Sequence, residues 1–230
     1  MGYEWHFAPL WHFLGMWAHG WWVTAQLSAL TVLCGTLLGA LCVIGQRSNL
    51  FPIVFLCRLY VDVFRSIPAL VLIGTLFFLL PSLPSVGWRG DPFQTAFLAL
   101  TLNLAPFAAE ILRSGIESVG KIQFESARVL GFSEYNSIRY VIGPQVVRRI
   151  IPPLVGEIIT TVKLTSLAAT IGVPEVWNVT SQIITITSLP VEARLVGGGL
   201  YALPVLLLLW LSRYLERHFH VRGLGTGVER

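Results

Sequence analysis

The chain has 230 residues, of which 54% are hydrophobic and 12% charged, with 16 Lys and Arg against 12 Asp and Glu. An average soluble domain carries about 25% charged residues, so this composition excludes an ordinary soluble enzyme or binding module and indicates an integral membrane protein with one domain, which the spans below make all-α. The basic surplus is assigned to membrane topology and contact with anionic lipid, not to nucleic acid, because no basic module interleaved with aromatic residues accompanies it.

Residues 1–19 are rich in Trp and His and predict an external interfacial segment, since amphipathic rings settle at headgroup level. The amino terminus lacks the basic leader of a cleavable signal peptide, so the first span is expected to stay in the membrane. His6, His12 and His19 fit interfacial packing better than metal ligation. A bilayer crossing takes about 20 apolar residues, and five stretches qualify as transmembrane helices. The first, residues 21–45, carries no charge, and the second, 53–80, includes Arg58, Asp62 and Arg65. A third, 93–112, has Glu110 near its end, the fourth, 150–171, contains Glu157 and Lys163, and the fifth covers 196–211.

Between these spans, 81–92 reads as an external loop full of turn-forming residues, and 172–190 as an external loop with a re-entrant or short helical piece. Cys34, Cys42 and Cys57 fall in or beside spans and are read as packing residues without a disulfide. The connection 113–149 holds Arg113, Lys121, Arg128, Arg139, Arg148 and Arg149, the first connection holds Arg47, and the carboxyl-terminal end adds Arg213, Arg217, Arg222 and Arg230. The alternate connections hold only Arg89 and Arg194. Positive charge is retained on the cytoplasmic side, which predicts the amino terminus outside and the carboxyl terminus inside, with 219–230 as a cytoplasmic tail. His218 and His220, at the boundary of that tail, are too sparse for a metal site, and no metal is expected elsewhere.

Residues 124–145, FESARVLGFSEYNSIRYVIGPQ, are too polar for lipid. A short helix fits 124–130, and Gly131 can end it in the left-handed conformation that glycine tolerates. Ser133 fits the cap of a second helix, which Pro144 is expected to terminate or bend. Two short helices joined at a glycine make a projecting knob that a gripping partner can move as a rigid body. On composition alone, the segment is a solvated basic loop.

The order Glu125, Ala127, Gly131, Val141, Pro144 resembles the "EAA" coupling loop of the membrane subunits of ABC importers, with departures at Ser126, usually Ala, and Gly143, usually Leu. The resemblance extends over about residues 20–218. It includes Tyr60, Asp62, Phe64, Arg65 and Pro68, then Asn103, Phe107, Ala109, Glu110, Arg113, Gly115 and Ile116, and later Pro152, Pro153, Glu157, Lys163, Thr165, Ser166, Leu167, Ile171, Gly172 and Val173. In this register the chain is similar to permease subunits of polar amino acid ABC importers of the histidine, arginine, glutamine and glutamate type. The resemblance implies a five-helix type I ABC importer permease domain over 20–218, in a bacterial inner membrane. It further implies a pair of partner ATP-binding subunits that hold ATP and Mg, a second permease copy or a homologous permease, and an external solute-binding protein. The chain itself has no GxxxxGK[ST] loop, HExxH helix or GxSxG elbow, so no catalysis and no cofactor are assigned to it. An ATP-independent channel or secondary transporter is the alternative.

Candidate substrate-path residues are the polar groups of spans three and four, namely Asn103, Glu110, Glu157, Thr161, Lys163 and Ser166. Arg58, Asp62 and Arg65, four and three residues apart, share one helical face as an intramembrane charge cluster. Structural pairing of that cluster is favoured over substrate contact, since charges at membrane depth face a bundle interior or a watery cavity. Glu157 and Lys163 are six residues apart, a rotation of roughly 240° that puts them on different faces. Lys163 is therefore expected to need Glu110 or Asp62. The resemblance also marks Leu72, Leu104, Gly156 and Leu164 as positions where relatives carry polar groups. It implies a pocket short of hydrogen-bonding groups, because the substrate is less polar or because a partner permease holds the solute.

Overall fold

In the computed structural model, which describes residues 3–83, 87–88 and 90–219 without the side chains of Lys121 and 215–219, every regular element is helical. Arg89, the side chains of Arg217 and His218, and tail residues 220–230 with His220, Arg222 and Arg230 lie outside the described residues. A 3-10 turn at Ala8–Phe13 leads into α1, Leu14–Gln46. The first span therefore starts inside the segment expected to lie at the interface, as one apolar run of 39 residues.

The second span is not one helix. It is divided into α2, Phe51–Ser66, and α3, Ala69–Ser82, whose axes differ by 107°. Pro68 explains the break: its ring pushes the preceding residue out of the helical region, and Ile67 is extended at φ −92° and ψ 124°. Hydropathy runs straight through this point, which is why the apolar window alone suggests continuity.

Helix α4, Pro92–Glu117, starts from an Asp91 cap that accepts the Phe93 N–H at 3.0 Å, with proline in the first turn, where no N–H is needed. A second proline, Pro106, leaves the Leu102 carbonyl without its helical donor, and the Tyr60 hydroxyl supplies one at 3.0 Å. In lipid, such a replacement is required because no water reaches a freed carbonyl. Helix α4 is the central element and packs against α1, α2, α3 and α7, the last defined below. The α1 contact is close because small residues face each other: a Cβ at Gly39 would lie 2.7 Å from the Ala105 carbonyl oxygen.

The remaining elements are α5, Lys121–Val129, the three-residue α6, Glu134–Asn136, and a π turn at Ser137–Ile142. Then follow α7, Gly143–Leu164, a 3-10 turn at Thr165–Ile171, α8, Val176–Thr187, and α9, Pro190–Phe219. Among the described residues, four runs are long and apolar enough to cross a bilayer, and the bent α2–α3 pair makes a fifth. The connection between α7 and α9 is built rather than loose. Buried Glu175 caps α8 by accepting the N–H groups of Asn178 at 2.7 Å and Trp177 at 2.9 Å, and it also accepts the Tyr201 hydroxyl. Buried Glu192, in the first turn of α9, accepts the Tyr3 hydroxyl at 2.8 Å and the His6 N–H at 3.1 Å, which ties down the amino-terminal strand of chain.

Candidate functional site: a projecting knob and the cavity above it

Helix α5 ends by the route its sequence predicts. Gly131 takes φ +80°, its N–H donates to the Arg128 carbonyl at 2.9 Å, and the Phe132 N–H donates to the Ala127 carbonyl at 3.0 Å. This pair of bonds satisfies carbonyls that a helix end leaves free. The Ser133 hydroxyl then accepts the Asn136 N–H at 3.3 Å and starts α6. Ala127 is buried at 2% exposure where α5 packs on the π turn, beside buried Ser137 and Ile142. Glu125 is exposed, Val141 half-buried and Pro144 exposed.

The second half of the knob differs from the expected short helix. Pro144 does not end it, and helical structure runs continuously over Glu134–Ile171. The π turn is the local adjustment. It closes with the Gly143 N–H donating to the Ile138 carbonyl, five residues back, and this widened turn admits the proline that follows. A Cβ at residue 143 would lie 2.6 Å from that same oxygen, so the backbone approaches too closely there for a side chain. At its base the loop is pinned by Arg149, whose guanidinium donates to the Ser118 carbonyl, and by Gly115, where a Cβ would collide with Ile150. Among the charged and polar groups on the surface of the knob, large apolar side chains stand out: Ile122, Val129 and Leu130 are 73%, 87% and 75% exposed, and Tyr135 and Tyr140 are exposed as well.

Above the knob, a cavity of about 340 Å³ opens at the α2–α3 break. Its walls are Arg65 to Ala69 at the break, Asn103, Leu104 and Phe107 from α4, and Glu157, Thr160, Thr161 and Leu164 from α7. Three of the substrate-path candidates, Asn103, Glu157 and Thr161, converge here. The other three do not. Glu110 faces a second cavity of about 430 Å³, where Arg113 holds it at 2.8 Å and Arg65 approaches at 3.8 Å. Lys163 is exposed on another face of α7, and the Ser166 hydroxyl donates back to the Lys163 carbonyl at 2.7 Å.

The cluster expected on α2 is divided in the same way. Arg58 and Asp62 line the second cavity and Arg65 the first. Among the described residues no ion pair joins these three, and the carboxylate answering Arg65 comes from α4. Arg113 also bonds Glu117 at 2.8 Å, so the charges form a network across α2 and α4 that residue spacing on α2 alone does not reveal. Glu110 is thus engaged by arginines, and no carboxylate among the described residues lies within 4.0 Å of Lys163. Of the positions apolar in this chain, Leu104 and Leu164 line the first cavity, Leu72 is buried in the core against Ile73, and Gly156 lies on the exposed face of α7.

Chemically, the first cavity offers a guanidinium, a carboxylate, an amide and a hydroxyl on apolar walls. It also holds the start of α3, whose first N–H groups have no side-chain cap. Such a set can meet both charges of a zwitterion. Among the described residues, no group of three His, Cys, Asp or Glu side chains could hold a metal ion.

Comparison with known proteins agrees with this architecture. The arginine transport system permease protein ArtQ of Bacillus subtilis (strain 168) is 29% identical over 195 residues, covering 85% of this chain and 88% of that protein. The nopaline transport system permease protein NocM of Agrobacterium fabrum is 35% identical over 178 residues, covering 73% and 74%. Among solved structures, an amino acid ABC transporter crystallised with histidines superposes with a TM-score of 0.85 at 27% identity, over 94% of this chain and 100% of that one. The inward-facing MetNI methionine ABC transporter shares the fold, with a TM-score of 0.70 at 17% identity over 91% and 98% of the two chains. The family model described as "binding-protein-dependent transport system inner membrane component" matches residues 32–221, and the chain belongs to that family.

Proposed function

We propose that this chain is the membrane-spanning subunit of an ATP-driven importer that carries an amino acid across a bacterial inner membrane. The observation that carries the reading is the knob. Its exposed Ile122, Val129 and Leu130 lie on the connection richest in Arg and Lys, where no lipid would cover them, so they call for a protein partner. A pair of ATP-binding subunits, holding ATP and Mg, fits that surface. When ATP draws the pair together, the knobs move, and the continuous helix from Glu134 passes the motion to Glu157 and Thr161 in the cavity wall. ATP drives the change only if it binds the two states unequally. A second permease completes the path, and an external solute-binding protein delivers the amino acid to the outer face. The distribution of Arg and Lys supports an amino terminus outside and a carboxyl terminus inside.

The charged cavity would also serve an ATP-independent channel or secondary transporter, so the test must separate these. The tagged chain is purified from native membranes in mild detergent, and uptake is measured with the hydrolysis of the recovered ATPase ablated. Co-purification of a P-loop ATPase and loss of uptake are expected. A stable preparation without any ATPase, or uptake untouched by ablation, would replace the importer with the alternative.

A further inference from the structure

We propose that the second cavity is a binding site for the phosphodiester of an anionic phospholipid, held by Arg47 and Arg58. Such a site serves an importer or a channel alike, since it takes membrane lipid and not solute. The cavity, about 430 Å³ between α1, α2 and α4, falls within the about 300–1,000 Å³ typical of small-ligand sites. Its rim is at the end of the bundle that bears the knob: Arg47 follows the last residue of α1, and Glu117 ends α4 four residues before α5 begins. Along α4 it reaches seven residues deeper, to Glu110, about 10 Å at 1.5 Å per residue. Headgroup zones add about 5–8 Å to each side of a hydrocarbon core of about 30 Å. A cavity of that depth runs from headgroup level to the edge of the acyl chains.

Charge identifies the ligand. Arg47, Arg58, Arg65 and Arg113 meet only three carboxylates here, those of Asp62, Glu110 and Glu117. Arg113 bonds Glu110 and Glu117, both at 2.8 Å, and Arg65 approaches Glu110 at 3.8 Å, so these four groups balance. Arg47, Arg58 and Asp62 remain, and among the described residues none of the three has a side-chain hydrogen bond or an ion pair. The surplus is one positive charge, and one phosphodiester carries the opposite charge. Two guanidinium groups can hold it, because their N–H forks match phosphate oxygens, and basic pockets between membrane helices take lipid headgroups in this way. The acyl chains also have a place to lie. Phe51, Phe55, Arg58 and Asp62 are spaced by four, three and four residues, so they share one face of α2, with the two rings exposed and stacked at 6.3 Å. Leu41 and Ile44, on the turns of α1 before Arg47, are exposed as well. A soluble phosphate needs no such apolar approach. Neither Arg47 nor Arg58 belongs to the positions on which the family resemblance rests, so the pair is a feature of this chain.

The test purifies the full chain in mild detergent with the subunits that accompany it, supplies phosphatidylglycerol, phosphatidylethanolamine or glycerol phosphate, and counts what stays bound by native mass spectrometry. Wild type is expected to keep phosphatidylglycerol in preference to phosphatidylethanolamine. Replacing both arginines, Arg47→Gln with Arg58→Gln, should lower that retention on the order of ten-fold. Arg194→Gln, which removes an exposed arginine outside the cavity, should retain lipid as wild type does. Asp62→Asn raises the surplus charge and should bind phosphatidylglycerol several-fold better, a gain that damage to the fold cannot produce. Retention unchanged in the double arginine variant, or not raised by Asp62→Asn, overturns the site. Equal retention of the two lipids overturns the anionic headgroup, and displacement of lipid by glycerol phosphate at equal concentration overturns lipid as the source of the phosphate.

Discussion

At Gly131 the backbone adopts φ +80° with nothing within 4 Å of where a Cβ would stand, so a side chain there meets strain in its own backbone and no clash with a neighbour. That strain is worth about 1–2 kcal/mol for a residue with a Cβ, too little to unfold a bundle whose core lies elsewhere. Asp at this position adds a negative charge at the carboxyl end of α5, where the helix dipole disfavours it. Gly131→Asp should therefore insert normally and lose ATPase recovery, as the knob changes shape. Glu125 tests the same surface without strain, since it is exposed, and surface substitutions of this kind change stability by about 0.5 kcal/mol or less. Glu125→Lys is expected to leave thermal stability in detergent unchanged while uptake falls. Normal ATP-driven uptake by both variants would remove the knob from the mechanism. Gly143 represents a different constraint, because there the obstacle is the Ile138 oxygen and not its own torsion.

Among the elements, those fixed by local bonds are legible in the amino-acid sequence. The α5 terminus needs only Gly131 and the N–H groups beside it, and the start of α6 needs only Ser133, so both follow from residue order. The α2–α3 break is also written locally, in Pro68, but the apolar run through it masks the signal. Rotation about each helix axis is not legible, because a helix apolar on most sides gives no sign of which face meets which neighbour. Leu72 shows the consequence. Resemblance places it among pocket positions, and packing puts it at 5% exposure in the core, while Leu164 at the end of α7 does line the cavity. The two positions predict opposite outcomes. Leu164→Asp should change the KM for solute in the assembled carrier with protein yield preserved. Leu72→Gln should lower yield and thermal stability, since burying an unpaired amide costs about 1–3 kcal/mol by mutational measures. If Leu72→Gln instead shifted specificity at normal yield, the assignment of that residue to the core would be wrong.

For the whole molecule, the decisive feature is that the knob and the cavity share one rod. The run Glu134–Ile171 carries the π turn near its start and Glu157 and Thr161 farther along, so displacement at α5, which packs on the π turn, reaches the cavity along one helical run. The opposite wall is a broken span, whose two halves can pivot at 67–68 while each keeps its own backbone bonds. A rigid wall facing a hinged one is a geometry for alternating exposure of the cavity to the two sides. Thr161 reports on it, being 3% exposed and in the cavity lining. In a chain with Cys34, Cys42 and Cys57 replaced by Ala, Thr161→Cys can be offered a membrane-impermeant thiol reagent from either side of the assembled carrier. Labelling is expected from the cytoplasmic side without nucleotide, and from the outer side when ATP is trapped by a hydrolysis-deficient ATPase. Adding Gly131→Asp should abolish the switch and leave the nucleotide-free pattern. Labelling that ignored ATP would mean that the rod does not couple knob to cavity, and simultaneous labelling from both sides would fit an open channel instead.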